Sequence, residues 1–192
     1  MTTTTTRLLS FDVGVRHLAY ADVSVTGADA YTIHRWNLVD VTGGRKLRGV
    51  DELSAAIIDV LDRELFDPAV RYDHVLVENQ PANKNPAMKS VQMVICTYFA
   101  VLRHYVGNVA SVRMVSATRK LTLRHAPPSC RDAADEYRQR KAQAVYCCEH
   151  YLAEVFKSPA ATTQLAASKK KDDLCDCLLQ AVWFAEVHLN AR

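Results

Sequence analysis

Glycine and proline are both scarce, with six of each among 192 residues. The glycines are scattered, so no glycine-rich loop is available to cradle a nucleotide phosphate. No apolar run reaches the length of a membrane span, and no membrane partner is expected. The opening "MTTTTTR" lacks the charged flank and apolar stretch of a secretion signal. Residues 1–6 therefore read as a disordered polar tail ahead of one domain, 7–192, long enough to bury a single good core. Six cysteines are present, but not in the spaced C-x2-C pairs of a structural zinc site. "CCEH" (147–150) and "CDC" (175–177) fall in apolar helical patterns, where a free thiol acts as a small hydrophobe. With no export signal the thiols are expected reduced and the protein intracellular.

Net charge is also small, +3, but it is unevenly placed. Eight acids and two arginines lie between Asp51 and Glu78, whereas eight Lys/Arg and three acids lie between Arg113 and Lys141. Three lysines follow at 169–171. A basic half suits a polyanion partner or a plain solvated face.

Periodicity predicts a mixed α/β layout. "RLLSFDVGV" (7–15) reads as a buried strand ended by Gly14, "HLAYADVSV" (17–25) as a half-exposed strand, and "YTIHRWNLV" (31–39) as a third. Together they form an antiparallel meander. A helix is expected from about Asp51, with Leu53, Ile57, Val60, Leu61 and Leu65 as its apolar stripe. "HVLVENQ" (74–80) is a fourth strand. Asn85 and Pro86 supply a cap and first-turn proline for a helix to about Tyr105. "VASVRMVSA" (109–117) is a fifth strand. A helix from about Asp132 to Phe156, a loop "KSPAATTQLAAS" (157–168) and a last helix complete the chain.

The acids carry the chemistry. Asp12 lies inside the first apolar strand and Glu78 at the end of the fourth. Asp173 and Asp176 stand three apart on one face of the last helix, with Asp172 beside them. Acids seldom occupy buried strands unless paired or metal-bound. Singly, each fits a salt bridge or a strand end. Together, on three core elements, they suit oxygen-only ligation of Mg²⁺, or Mn²⁺ in its place. Two such ions about 3.5–4 Å apart clamp a phosphodiester for attack by water.

"SFDVGVRHLAY" (10–20), "VLVENQ" (75–80) and "KKKDDLCDCLLQ" (169–180) resemble, in order, the three signature blocks of the RuvC-type Holliday-junction resolvases. The resemblance is strongest to the branch found in poxviruses, related viruses and fungal mitochondria. His17 stands where that family often has Asn, and residues 124–167 look longer than in its compact viral members. The resemblance implies a ribonuclease-H-like fold: a five-stranded sheet, three strands antiparallel and then two parallel, flanked by helices. It also implies a homodimer that nicks four-way DNA symmetrically with Mg²⁺. Asp12, Glu78, Asp173 and Asp176 are then the metal ligands, with Asp172 supporting. Lys120 is the implied catalytic lysine after the fifth strand, with Arg119 its rival and a plain phosphate contact the alternative role. A viral member would work in the host cytoplasm, a fungal-type one in the mitochondrion or nucleus.

Lys84, Lys89, Arg119, Arg124, Lys169, Lys170 and Lys171 flank the acids and are expected to bind DNA phosphates without reading bases. Tyr72, Tyr98 and Tyr137 are candidates for base stacking or core. The helix 86–105 is apolar almost all round, as for an element buried on both sides. It is either a central core helix or, as the resemblance implies, the dimer contact, with Met88, Val91, Met93 and Ile95 at the interface. Rival readings are another nuclease or a transposase on the same fold, or a non-catalytic branched-DNA-binding protein. A sugar or nucleotide kinase would need a phosphate loop and a second lobe, and both are missing.

Overall fold

The computed structural model describes residues 4–27, 30–83, 85–116, 123–126 and 137–189. Its centre is a five-stranded sheet in the order β3-β2-β1-β4-β5. The strands are β1 (Thr5–Asp12), β2 (His17–Thr26), β3 (Ala30–Asp40), β4 (Tyr72–Glu78) and β5 (Val109–Val115). β1–β2 and β2–β3 pair antiparallel, and β1–β4 and β4–β5 pair parallel. The strands thus follow the sequence reading in number, order and direction, though their ends shift: β4 runs 72–78 rather than 74–80 and β5 stops at Val115. Thr5 and Thr6 pair with Thr26 and Val25, so the end of the expected tail belongs to β1. β1 also stops at Asp12, because the chain turns sharply back to His17. A Cβ at Gly14 would meet the His17 carbonyl oxygen at 2.3 Å, so only glycine fits there.

Helices cover both faces. α1 (Val50–Leu65) and α2 (Pro86–Tyr105) lie on one side. α3 (Tyr137–His150), α4 (Pro159–Ala167) and α5 (Lys171–Phe184) lie on the other. Two π-helical stretches, Tyr151–Val155 and Ala185–Leu189, extend α3 and α5. Because both faces are covered, β2 is buried on both sides from Leu18 to Val23 rather than half-exposed. No helix among the described residues is long and apolar enough to cross a membrane.

Local signals explain the helix starts. Asn85 accepts from the Met88 amide at 3.2 Å, and Pro86 opens α2. Ser158 does the same for Ala161 at 3.4 Å, with Pro159 next. The stretch expected as a loop at 157–168 is therefore a helix, capped by Ser158 and anchored through buried Ala161 and Leu165. α2 corrects a second expectation. Its Val91, Ile95 and Phe99 are buried in this chain's own core. Met93 and Val101 are nearly half exposed on its outer side. Of the four residues expected at an interface, Val91 and Ile95 have no surface to offer, whereas Met88 and Met93 keep some.

The most constrained charge in the fold is Asp22, fully buried on β2. Its carboxylate accepts two bonds from Arg7 of β1, at 2.8 and 2.9 Å. It also accepts from Arg35 of β3 at 3.1 Å and from the Tyr72 hydroxyl of β4 at 3.2 Å. Arg35 in turn donates to the Glu64 carbonyl near the end of α1 at 2.7 Å. Tyr72, a candidate for base stacking, is therefore interior, and burial with the Asp22 charge pushes its hydroxyl pKa well up. Four strands meet on one carboxylate, and Arg35 links it on to the end of α1. Removing one member of such a cluster strands the others without partners. Asp22→Ala should cost about 3–5 kcal/mol of unfolding free energy, read as a drop in urea midpoint at unchanged slope. A loss below about 1 kcal/mol would mean that the pair behaves as a surface one.

Candidate functional site

The acids of β1 and β4 meet at the carboxyl end of the sheet. Parallel register pairs Phe11 with Val77, so the next residues, Asp12 and Glu78, end neighbouring strands at the same level. Glu78 is 9% exposed and Asp12 partly so. β5 closes the other flank of Glu78 through Val115.

α5 brings the remaining acids. The Gln180 side-chain amide donates to Ser10 Oγ at 3.0 Å and to the Phe11 carbonyl at 3.2 Å. Trp36 Nε1 on β3 donates to the Leu174 carbonyl at 2.9 Å. These bonds fix the depth and rotation of the helix over β1–β3. Asp176 lies one turn before Gln180, toward the end of β1, and Asp173 another three residues on. The buried Cys177 thiol reports on the same neighbourhood. Burial drives its pKa well up, and the charges of Asp12 and, more weakly, Asp176 add to that. Cys147, Cys148, Cys175 and Cys177 are all fully buried in the layer of α3 and α5, as small hydrophobes would be.

The adjacent Asp172 and Asp173 differ. Burial alone would raise Asp172, but the Lys141 ammonium of α3, in direct contact with Asp172 Oδ2, outweighs it and holds that carboxyl below its usual value. Asp173 is pushed up, first by burial and then by the Asp172 charge, with Lys170, Lys141 and His17 only partly offsetting this. Of this adjacent pair, Asp172 is the one with a cation in contact. All four expected ligands are oxygen donors at one end of the sheet, so their chemistry suits a hard divalent cation. As the side chains stand, no three His, Cys, Asp or Glu among the described residues form a set that could hold an ion. The acids share a neighbourhood rather than a finished cage.

The basic residues partly surround this end. Lys89 Nζ donates to Asn79 Oδ1 at 3.3 Å and Gln92 Oε1 at 3.1 Å. Gln92, fully buried, also accepts from the Gln80 amide at 2.9 Å, which ties the turn after Glu78 to α2. Lys169 and Lys170 are exposed just before α5. An open groove of about 380 Å³ runs between α3 and α5, lined by Lys141, Lys169, Lys171, Asp172 and Val145 among others. Arg124, exposed in the short segment 123–126, stands apart from this end, its amide bonded to Glu186 beyond the far end of α5. Lys84, Arg119 and Lys120 lie outside the described residues. Sequence reasoning missed Lys141, Gln180, Trp36 and Gln92. Lys141 had a signal, as the last cation of the basic run; the other three had none, because they act through contacts made only in the folded chain.

Comparison with known proteins agrees with this layout. The family described as "Poxvirus A22 protein" matches residues 7–188. An uncharacterised protein of Acanthamoeba polyphaga mimivirus is 27% identical over 124 residues, 59% of this chain and 29% of the relative. This chain therefore spans under a third of that relative's length. Among solved structures, the yeast mitochondrial Holliday junction resolvase Ydc2 matches with a TM-score of 0.63 at 17% identity, over 94% of this chain and 79% of that one. The fowlpox virus resolvase, solved with substrate Holliday junction DNA, gives 0.62 at 18% over 94% and 97%. T. thermophilus RuvC, in complex with Holliday junction substrate, gives 0.55 at 15% over 94% and 95%. The fold is therefore of the RuvC, ribonuclease-H-like type, and the chain belongs to the poxvirus A22 protein family.

Proposed function

We propose that this protein is a divalent-metal-dependent endonuclease that resolves four-way DNA junctions by paired nicks. The observation that carries the reading is the convergence at one sheet end of Asp12, Glu78 and the first turns of α5, seated by Gln180 on β1. Three structural neighbours, one a Holliday junction resolvase and two bound to Holliday junction substrate, and family membership over nearly the whole chain, support the substrate class.

Asp12, Glu78, Asp173 and Asp176 would hold the metal, Mg²⁺ or Mn²⁺. When bound, such ions activate a water and neutralise charge on the leaving oxygen. The rest falls to the chain itself. Lys141 occupies Asp172, which keeps that carboxylate out of the ligand set. Lys89, Lys169, Lys170 and Lys171 attract the phosphodiester backbone toward an otherwise repulsive acidic patch. Lys120, with Arg119 as its rival, is the proposed cation for developing phosphate charge. Another nuclease or a transposase on this fold would share the acids and differ in substrate, so cleavage of labelled four-way against linear and flapped DNA, with Mg²⁺ or EDTA, decides between them.

Asp12→Asn, Glu78→Gln, Asp173→Asn and Asp176→Asn should each slow single-turnover cleavage by about 10²–10³-fold or more while junction binding is largely kept. Near-normal cleavage by any one at saturating Mg²⁺ removes that residue from the site.

Junction affinity should fall steeply with salt as counterions are released. Lys169→Ala with Lys170→Ala should shrink the slope of log K against log salt by about 0.9 per lost phosphate contact. A slope that does not move rules these lysines out as phosphate contacts.

Paired nicks need two protomers, because one acid cluster serves one scissile phosphate. The exposed side of α2, with Met93 and Val101, suits a two-fold contact between them. Met93→Glu should shift the sedimenting species from dimer toward monomer at low micromolar concentration and reduce paired nicking more than thermal stability. Paired nicking by a monomer would overturn this arrangement.

A further inference from the structure

The segment Leu123–Ala126 has the exposure pattern of a turn held from below. Leu123 and Ala126 are 2% and 4% exposed, whereas Arg124 and His125 between them face solvent. The Ala126 amide closes the turn on the Leu123 carbonyl at 3.3 Å. Its two central peptide groups are then gripped by side chains from elsewhere. The Arg124 amide donates to Glu186 Oε2 at 2.6 Å. The His125 amide donates to the Tyr151 hydroxyl at 2.9 Å. That hydroxyl donates in turn to Glu186 Oε1 at 2.7 Å. Glu186 is 7% exposed and Tyr151 fully buried.

A carboxylate is costly to bury, and this one is used to hold a surface turn by its backbone. The two gripping residues share a further feature. Tyr151 opens one π-helical stretch and Glu186 lies in the other. Such widened turns are rare and frequently mark functional positions. Here they aim two side chains from different helices at one short turn. What the turn displays is a basic pair, in the half of the chain where positive charge collects.

We propose that Glu186 and Tyr151 are positioning residues for DNA binding: they lock the 123–126 turn so that Arg124 and His125 meet the phosphodiester backbone. The proposal rests on the nuclease reading above and adds a second contact region to it. Thirteen residues of continuous helix separate Asp173 from Glu186, about 20 Å at 1.5 Å per residue. The turn is therefore held well clear of the acids, so its contact falls away from the cut.

The test uses the full chain and a labelled four-way junction, with binding measured across a salt series. Tyr151→Phe keeps the ring and removes two hydrogen bonds. It should weaken junction affinity about 3–10-fold and lower the salt slope by about 0.9, one phosphate contact. The loss should fall mainly on affinity rather than on single-turnover rate at saturating protein. Combined with the paired change Arg124→Ala and His125→Ala, it should cost no more than that paired change alone. Additive losses, or a weakened affinity at unchanged slope, would show that Tyr151 supports the fold only and would overturn the proposal. Should Tyr151→Phe unfold the chain, the paired change Arg124→Ala with His125→Ala, confined to exposed side chains, decides: unchanged affinity and slope refute it. If the unaltered protein binds the junction but never cuts it, the nuclease reading fails while the binding arm still judges the turn. If it binds no DNA, both fail.

Discussion

The side-chain amide of Gln180 makes the contact on which the candidate site depends. The acids of this protein come from three elements spread over more than 160 residues of sequence, and only folding brings β1, β4 and α5 together. By donating to Ser10 Oγ and to the Phe11 carbonyl, Gln180 ties the middle of α5 to the last residues of β1. Both partners are buried, so a slip of the helix by one turn would strand three polar groups away from water. Trp36 adds a second fixed point at Leu174. The helix is thereby indexed against the sheet, and its acidic first turns have one place to go.

Two parts of the sheet treat negative charge in opposite ways. In mid-sheet Asp22, opposite Leu9, is surrounded by two arginines and a tyrosine hydroxyl, and its charge is matched within the chain. At the carboxyl end Lys141 matches Asp172, while Asp173 stays raised by its surroundings. The first arrangement is finished and holds strands together. The second gathers several acids at the ends of two strands and the start of α5, and pairs Asp172 with Lys141.

Much of this was legible in the sequence for a simple reason. Acids within apolar strands break a strong pattern, and Asp12 and Glu78 each do so. The helices α1 and α2 announce themselves by apolar period and by Asn85–Pro86. α4 did not, because its Ser158–Pro159 start is followed by small and polar residues with only Ala161 and Leu165 as an inward stripe. Asp22 was passed over because a lone acid in an alternating strand reads as solvent-facing, and nothing local shows that helices cover both faces. The different fates of Asp172 and Asp173 needed the position of Lys141, 31 residues away.

The pairing of β2 with β3 carries a last consequence. Register runs Asp22↔Arg35 and then Val23↔Ile33, so His34 is an extra residue with no partner of its own in the ladder, its ring held to Ser24 Oγ at 2.6 Å. Tyr31, Ile33, Trp36 and Leu38 all belong to or pack on the same core, at spacings of two, three and two. Alternation therefore changes phase at His34, and that change lets Arg35 turn to the opposite face and reach Asp22. In evolutionary terms the strand has one tolerant position. A lineage losing His34 keeps every neighbour on its proper side and keeps Arg35 on Asp22, whereas losing Thr32, Ile33, Trp36 or Asn37 exchanges the inside and outside of the strand beyond it.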